Sequence, residues 1–401
     1  MAEIVHYLRR RSHNLDCKIA AWRFQRCVPK SVWGEHDAWL ATCRSLALVP
    51  LPEDHVAGPV FARSQSLRSA ALATWRDRYA HRQDVRVLLH VPPAKSSMGG
   101  FSLFNNWLEG LRHLGVAAEA VPTGVPVMEA IERFQPTVFM TSDDGEYLRW
   151  IDWDGLKKYR ETQSMALVLT TSTEQDGNTL AGPRLRLARE RNVTFYVSFR
   201  EPEYIAEHLR PWKDAGFDVV SIPFSANPVR HFHVPVKEPP LDYVFLASIN
   251  PQKASRYLEY LTQVLPRNRG VINGPGWGHD DRILGRECHP YIYGLGAVGL
   301  NVHIPVSINM LSEVNERTFI LAACGMFQLC DAPQVLRRFF PDTAVPAART
   351  GGEYGEMFRH YLANPAARTT CQLASLNAVY DGNTIFDRMD RFLERVVHEP
   401  A

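Results

Sequence analysis

The sequence predicts an α/β protein built from two parallel sheets, each covered by helices. Short apolar runs alternate with stretches of helical periodicity along most of the chain, which is the pattern of a parallel sheet. The alternation occurs in two series, separated by a Pro-rich stretch at residues 233–240. At 401 residues, the chain is long enough for two such domains and an additional segment.

The first series begins at Val85–Val91, a continuous apolar run that is typical of a buried strand. A polar, glycine-bearing loop follows at Ala94–Gly100, and Phe101–Leu114 then has helical periodicity. Further strands are predicted at Thr137–Thr141, Ala166–Thr170, Thr194–Val197 and Val219–Ile222.

The second series supplies four more strands and one helix at the chain end. We predict strands at Tyr243–Ala247, Gly270–Ile272, Val298–Val302 and Met326–Cys330, and an amphipathic helix at Phe386–Val397. The predicted domains are a helical N-terminal extension at 1–80, a first domain at 81–232, a second at 233–385 and a C-terminal helix at 386–401.

Composition excludes several classes of protein. Lys and Arg number 45 against 43 Asp and Glu, a net charge of +2 that does not suit a general nucleic-acid or membrane binder. The seven cysteines include no C-x-x-C pair, so free thiols in a reducing compartment are expected. There is neither a signal peptide nor an apolar run of about 18 residues, and a cytoplasmic location is therefore expected.

The most informative stretch is residues 299–331, which reads as strand, loop, helix and strand. Asn315 is placed to cap the helix start, where Glu316 and Arg317 follow it. Backbone donors, a carboxylate and a guanidinium at one place suit ribose hydroxyls and a pyrophosphate. The alternative is an ordinary βαβ unit with a solvated helix start.

Other strand exits of the second series supply further candidates for a ligand site. Lys253 and Arg256 start a helix after one strand, where they can hold a diphosphate or simply be surface bases. The next strand is followed by Gly274, Gly276 and Trp277, where the alternative is a plain turn with a packed Trp. The strand after that is followed by His303, the last candidate.

The first series offers candidates for a catalytic base. Asp143 and Asp144 follow a predicted strand, and Glu174 with Asp176 follow the next one as a second choice. A carboxylate at this position can accept a proton from an acceptor hydroxyl, although solvated loop acids are the alternative.

Two motifs that resemble metal sites are better explained otherwise. Asp152 and Asp154 form a D-x-D that looks like a helix N-cap, so no metal ligand is predicted there. His231 and His233 lack a carboxylate or Cys at ligand spacing and are expected to be solvated.

The run NERTFILAACGMFQLCD at residues 315–331 resembles the signature of group 1 glycosyltransferases of the spore-maturation-protein-like type. The resemblance implies two Rossmann-like domains that face each other across a cleft, the GT-B arrangement. It also implies that the second domain holds a nucleotide-sugar and that the last helix packs back on the first domain. The family usually has Glu where this chain has Ile320, so the ribose contact passes to Glu316 or is absent.

The resemblance implies a metal-independent glycosyltransferase that moves a sugar from a nucleotide-sugar to an acceptor hydroxyl. No cofactor is expected. The acceptor can be a glycan, a lipid carrier, a protein or a modified nucleobase. Retaining enzymes of similar fold often carry two Glu eight residues apart, and Ser312 and Ile320 stand at those positions, which favours inversion. The alternatives are a sugar-nucleotide epimerase or hydrolase, and a non-catalytic binding protein on a decayed transferase fold.

Overall fold

The computed structural model describes residues 15–16, 18–24, 26–28, 58–94, 97–171, 181–236, 238–249, 251–275, 277, 284–304, 314–332 and 334–398. The chain forms two compact units. The first-sheet unit comprises Ala71–Asn227 and Thr384–Ala401, and the second-sheet unit comprises Met1–Ala70 and Pro228–Asn383.

The first-sheet unit alternates strands with helices throughout. Its elements, with the helix that leads into it, are α1 (Pro59–Trp75), β1 (Arg86–Val91), α2 (Met98–His113), β2 (Ala117–Pro122), α3 (Val127–Phe134), β3 (Val138–Ser142), α4 (Gly145–Leu148), α5 (Trp153–Thr162), β4 (Ala166–Thr170), α6 (Ala181–Glu190), β5 (Phe195–Ser198), α7 (Pro202–His208), α8 (Arg210–Asp214) and β6 (Val219–Ser221), with α14 (Ile385–His398) from the chain end.

All six strands of the first sheet are parallel, in the order β2-β1-β3-β4-β5-β6. Alternate residues of each strand enter separate apolar clusters on the two faces of the sheet. The strand order reverses between β1 and β3, and open α/β sheets bind ligands beyond the carboxyl ends of their strands at such a point.

Strand β2 has no counterpart among the predicted strands. Its sequence, AAEAVP, has no β-branched residue except Val121, and a propensity argument does not detect it. Its pairing with β1 over six residues, from Arg86 opposite Ala117 to Val91 opposite Pro122, supplies the stabilisation instead.

The second-sheet unit has five parallel strands and two long helices that follow them. Its elements are β7 (Leu241–Leu246), α9 (Ala254–Tyr260), β8 (Gly270–Asn273), α10 (His289–Gly294), β9 (Gly296–Asn301), α11 (Glu316–Ala323), β10 (Gln328–Asp331), β11 (Ala347–Ala348), α12 (Gly351–Ala363) and α13 (Pro365–Tyr380). A 3₁₀ turn at Pro251–Lys253 precedes α9.

The strand order of the second sheet is β11-β10-β9-β7-β8, so its order reverses between β7 and β9. Helix α11 ends where Gly325 adopts a positive φ of 61°, a conformation that glycine tolerates at a helix C-terminus. Phe24, from the described part of the N-terminal region, is fully buried against Tyr257 and Trp277 of this unit.

Helix α14 belongs to the first-sheet unit although it lies at the chain end. Phe386, Met389, Phe392 and Leu393 are fully buried in the cluster that contains β1 and α2. The apolar stripe of this helix therefore completes the core of the first sheet.

Within the described residues, no helix is both long enough and apolar enough to cross a bilayer. The described cysteines, Cys27, Cys288, Cys324, Cys330 and Cys371, are free thiols.

Candidate functional site

Arg317 lies at the point where the strand order of the second sheet reverses. Asn315 caps α11 by accepting a hydrogen bond from the backbone N–H of Thr318 at 3.1 Å, as predicted. The Arg317 guanidinium donates to the carbonyl of Leu246 at 2.8 Å and to Oδ1 of Asn301 at 3.4 Å. Leu246 and Asn301 end β7 and β9, so this guanidinium bridges the two strands at their carboxyl ends.

Asn301 links the helix start to the strands around it. Its amide donates to Thr318 at 2.8 Å and to Gln328 at 3.1 Å, and its Oδ1 accepts from Asn315 at 2.8 Å. All polar atoms of this buried side chain are thus engaged by neighbours that α11 and β10 supply. The network fixes where the guanidinium of Arg317 lies.

Lys253 is a buried cation in the same region. Its side chain is 9 % exposed, and Nζ donates to the carbonyl of Val302 at 3.1 Å. Burial and, to a smaller extent, the charge of Arg317 lower the pKa of Lys253 to about 7, although Asp331 opposes the shift. A charge held at this cost is expected where an anionic ligand offsets it.

Asp331, at the end of β10, hydrogen-bonds both Arg256 and His303 through its carboxylate. Arg256 donates to its Oδ2 at 3.0 Å, and the His303 backbone N–H donates to the same atom at 3.0 Å. Nδ1 of His303 lies 2.6 Å from Oδ1. Burial alone raises the pKa of Asp331, but His303 and Arg256 outweigh it and lower that pKa. Asp331 is not among the predicted site residues. A sequence signal exists for it, because it directly follows the apolar run Met326–Cys330, in the same way that Asp143 follows a strand.

His303, Cys330 and Asp331 are the group of described residues whose ligand atoms could hold a metal, since these atoms lie within 4.8 Å of one another. The surroundings do not suit a cation. The Asp331 carboxylate already accepts from Arg256, and the charges of Lys253 and Arg317 act on the His303 ring. The ion pair of Asp331 with Arg256 and the nearby charge of Lys253 both disfavour a cation at this position.

Gly274 and Trp277 are shaped by packing rather than by an open pocket. Gly274 has a φ of +144°, and a Cβ there would lie 2.3 Å from the carbonyl oxygen of Ala247. Trp277 is 6 % exposed, and its Nε1 donates to the same carbonyl at 2.6 Å. Both positions therefore fit the alternative of a plain turn with a packed Trp. Gly276 lies outside the described residues.

Ile320 occupies a buried apolar position on α11. It packs in a cluster with Leu241, Leu321 and Met326, so no polar side chain reaches a ligand from this position. Glu316 lies one turn earlier on the half-buried helix start, and the prediction that the ribose contact passes to Glu316 or is absent stays open. Ser312 lies outside the described residues.

The two candidate bases of the first-sheet unit lie in different environments. Asp143 is 4 % exposed and forms an ion pair with Arg184 of α6. Burial raises the pKa of Asp143 to about 7, against the lowering influence of Arg184. Asp144 is exposed. Glu174 and Asp176, the second choice, lie outside the described residues.

His90 is a polar residue within the predicted apolar strand Val85–Val91, and it is not among the predicted site residues. It is fully buried at the reversal between β1 and β3, and its Nδ1 lies 3.0 Å from the hydroxyl of Thr141. The ring packs edge-on against Tyr147 at 6.0 Å, and burial lowers the pKa of His90 to about 4. A histidine within an otherwise apolar central strand was the available signal.

The two metal-like motifs have structural roles. Asp152 caps α5 by accepting from the backbone N–H of Gly155 at 3.0 Å, as predicted. The expectation that His231 and His233 are solvated is wrong. His231 is 3 % exposed, and Nδ1 of the half-buried His233 hydrogen-bonds the carbonyl of Cys324 at 2.9 Å. A hydrogen bond to the end of α11 holds the His233 ring, and the His231 ring lies in the interior of the second-sheet unit.

A cavity of about 690 Å³ lies at the opposite, amino-terminal edge of the second sheet, lined in part by Gly296 and Met326. The polar side chains in its wall serve the chain's own carbonyls: Arg368 donates to Tyr361 at 2.6 Å, and Gln372 donates to Gly325 at 2.8 Å. The cations, the helix start and the strand exits lie together at the carboxyl edge instead. We therefore assign the candidate ligand site to that edge.

Residues 253–394 match the model of a family described as glycosyl transferase-like. The match begins at Lys253 and contains all of the predicted candidate residues of the second-sheet unit. Comparison with curated protein sequences gives no match.

Solved structures share the fold at low sequence identity. The β-glucosyltransferase of phage T4 in complex with UDP and Mn²⁺ has a TM-score of 0.53 and 9 % identity, covering 78 % of this chain and 99 % of its own. A structure of the DNA-modifying enzyme β-glucosyltransferase, studied with and without uridine diphosphoglucose, has a TM-score of 0.51 and 10 % identity, covering 78 % and 100 %. Sucrose-phosphate synthase from Thermosynechococcus elongatus has a TM-score of 0.50 and 12 % identity, covering 78 % and 98 %.

These likenesses confirm the predicted fold, an α/β protein with two parallel-sheet domains of the GT-B type. The family match, on the part of the chain that carries the candidate donor residues, confirms the predicted enzyme class. The protein is a glycosyltransferase.

Proposed function

We propose that the second-sheet unit binds a nucleoside diphosphate sugar at the carboxyl edge of its sheet, and that the sugar is transferred to an acceptor hydroxyl. The observation that carries this proposal is the position of Arg317, at the start of α11 and across the ends of β7 and β9. Helix starts and reversal points are where α/β folds hold phosphate groups.

The charges of the site support a diphosphate. Arg317 and Lys253 donate to neutral oxygen atoms of Leu246, Asn301 and Val302, so their charges are available to an anion. Arg256 is instead paired with Asp331. Two adjacent cations and a helix start can stabilise the nucleoside diphosphate as it leaves.

We expect Arg317→Ala and Lys253→Ala each to weaken nucleoside diphosphate binding by about 1.5–3 kcal/mol, the range for hydrogen bonds to charged groups. Titration calorimetry with UDP, the nucleotide in the T4 structure, and with GDP and ADP measures this. Arg359→Ala, an exposed residue on α12, is the matched control and should bind normally. Unchanged affinity in both site variants would exclude these residues from the site.

The transfer is proposed to need no metal, because Lys253 and Arg317 supply the positive charge. The T4 β-glucosyltransferase structure contains Mn²⁺ as well as UDP, so manganese is one of the ions to test. Turnover should persist in excess chelator and should not rise on adding manganese or magnesium. Strict dependence on either ion would overturn the proposal and direct attention to Asp331 and its neighbours.

We further propose inversion at the anomeric carbon, with Asp144 or Asp143 as base, and membership of the spore-maturation-protein-like group on the strength of the run at 315–331. NMR of the product formed from an α-linked donor should show a β-linkage; an α-linkage would contradict inversion.

The acceptor classes to screen are glycans, lipid carriers, proteins and modified nucleobases. Consumption of the nucleotide-sugar without any acceptor would instead indicate a hydrolase or epimerase. A cytoplasmic location is also proposed, and cell fractionation tests it.

A further inference from the structure

One edge of the His303 ring is held firmly while the other has no partner among the described residues. Nδ1 lies 2.6 Å from Oδ1 of Asp331, and the His303 backbone N–H also donates to that carboxylate. Nε2 is buried in a side chain that is 1 % exposed, and no described group hydrogen-bonds it. A buried polar atom without a partner is costly, and a ligand is one means of satisfying it.

The contacts of Asp331 determine which ring nitrogen carries the hydrogen. Its carboxylate accepts from Arg256 and from the His303 backbone, and its lowered pKa keeps it ionised, so it can only accept from Nδ1. Nδ1 therefore carries the hydrogen. In the neutral ring, Nε2 then presents a lone pair.

The groups around the ring keep it neutral. Burial lowers the pKa of His303, and the charges of Lys253 and Arg317 lower it further, while Asp331 acts in the opposite direction. Cys330, whose Sγ lies 3.6 Å from Nδ1, is a thiol because burial raises its pKa well above the ordinary value. Nε2 is thus an acceptor placed among cations.

We propose that Nε2 of His303 accepts a hydrogen bond from a hydroxyl group of the nucleotide-sugar, with Asp331 as the residue that positions the ring. This inference rests on the proposed function. Phosphate oxygens are acceptors and cannot pair with a bare ring nitrogen, whereas they suit Lys253 and Arg317. Different parts of the ligand therefore contact different residues. Lys253 and Arg317 contact the diphosphate, and Nε2 of His303 accepts a hydrogen bond from a hydroxyl of the ribose or of the sugar.

Calorimetry on the full chain separates these two sources. The ribose arm compares UDP, GDP and ADP with their 2′,3′-dideoxy counterparts. The sugar arm compares UDP-glucose, GDP-mannose and ADP-glucose with counterparts whose sugar lacks one hydroxyl, so that both members of each pair carry the same charge on the diphosphate. In the wild type, one of the two differences should be about tenfold, the equivalent of a single good hydrogen bond.

The variant His303→Phe should abolish that difference and leave the affinity for the ligand lacking the hydroxyl unchanged. His360→Phe, an exposed residue on α12, is the matched control and should keep the difference. Discrimination that survives in His303→Phe, or is absent from the wild type, would overturn the inference. So would an equal loss for every nucleotide, which would indicate a phosphate contact. If no nucleotide binds the wild type, the proposed function itself fails.

A measurement on the wild type does not depend on the variant folding. Nitrogen NMR of histidine-labelled protein saturated with the tightest-binding of these nucleotides reports whether Nε2 of His303 carries a hydrogen. We expect Nδ1 protonated and Nε2 bare. A protonated Nε2 in the complex would overturn the assignment of an acceptor.

Discussion

Lys253 is a buried amine whose charge state should depend on the ligand. Burial and Arg317 lower its pKa to about 7, so near neutral pH the free protein holds a mixture of the two forms. The negative charge of a diphosphate favours the ammonium and raises that pKa. Binding therefore takes up a proton, and the affinity should fall as the pH rises from 7 towards about 9.

Calorimetry of the preferred nucleotide-sugar in buffers of different ionisation enthalpy measures this uptake. Both phosphates of such a ligand are esterified, so they stay ionised over this range and contribute no proton. Lys253→Met should bind more weakly and take up no proton. An affinity that is constant from neutral to alkaline pH in the wild type would contradict the proposed contact between Lys253 and the diphosphate.

Asp143 and Asp144 should respond differently to replacement by Asn. Asp144 is exposed, so Asp144→Asn should leave stability unchanged and, if it is the base, lower turnover by roughly 10²–10⁴-fold. Asp143→Asn leaves the Arg184 guanidinium without its ion-pair partner and should lower the stability. Donor affinity should survive in both variants, because the proposed donor residues belong to the other unit. Normal turnover in both variants would remove this pair as the base and favour Glu174 and Asp176.

The raised pKa of Asp143 also has a consequence for stability. The native state binds this proton more tightly than the unfolded chain does, so the contribution is fully present in acid and is lost as the pH rises through about 7. Asp143→Asn should remove this component from the pH dependence of urea unfolding. An identical pH dependence in the wild type and the variant would show that the pKa of Asp143 is the same in the folded and unfolded states, and would contradict the raised pKa.

At the scale of elements, the start of α11 couples stability to ligand binding through Asn315. Its Oδ1 caps the helix and its amide donates to Asn301, which in turn accepts from Arg317. Asn315→Ala should lower the free energy of unfolding by about 1 kcal/mol, the usual value of a cap, and should also weaken nucleotide binding. Asn315→Asp keeps the cap but loses the amide donor, so it should affect binding more than stability.

Thr350 provides the matched control for this prediction. It caps α12 in the same unit by accepting from the backbone N–H of Glu353 at 3.2 Å. Thr350→Ala should cost similar stability in urea unfolding with unchanged nucleotide affinity. If Asn315→Ala also leaves the affinity unchanged, the helix start is a structural element and not part of the donor site.

Elements with a strong local signal were predictable from the sequence. Ala166–Thr170 was predicted with the bounds that the structure has, and the cap at Asn315 was read from one residue followed by an apolar helix. Strand β2 was not predicted, because its alanine-rich sequence is stabilised by pairing with β1, a contact between segments that are distant in sequence.

The positions of Arg317 and Lys253 near the carboxyl edge of the second sheet were predictable, because each belongs to a helix start that follows a strand. Their role in donor binding stays a prediction. The environment of a candidate residue was less predictable where it depends on a partner that is distant in sequence. The environments of Asp143 and Trp277 depend on Arg184 and Ala247, which come from other parts of the chain. His90 and Asp331 likewise gain their significance from contacts with Thr141 and His303.

At the scale of the whole molecule, each unit is assembled from two separate segments of the chain. The first-sheet unit takes α14 from the end of the chain, beyond the whole of the second sheet. Its core therefore cannot be completed until the last residues are available. A single core substitution in α14 should therefore lower the stability of the first-sheet unit, most of which lies far from α14 in the sequence.

Phe392 is the residue with which to test this. It is fully buried, and its ring centroid lies 6.2 Å from that of Phe195 on β5. Phe392→Ala should lower the stability of the first-sheet unit by about 3–5 kcal/mol, the usual cost of removing a buried Phe. Phe358, which is 1 % exposed in the core of the second sheet, is the matched substitution for the other unit.

Scanning calorimetry with and without the best-binding nucleotide distinguishes the two units, because a ligand raises the melting temperature of the unit that binds it. We expect Phe392→Ala to lower the transition that the nucleotide does not shift, and Phe358→Ala to lower the transition that it does shift. If the nucleotide-sensitive transition moved in Phe392→Ala and not in Phe358→Ala, the donor site would have to be reassigned to the first-sheet unit. A single transition that both substitutions lower equally would show that the two units unfold as one, and that α14 stabilises the whole chain.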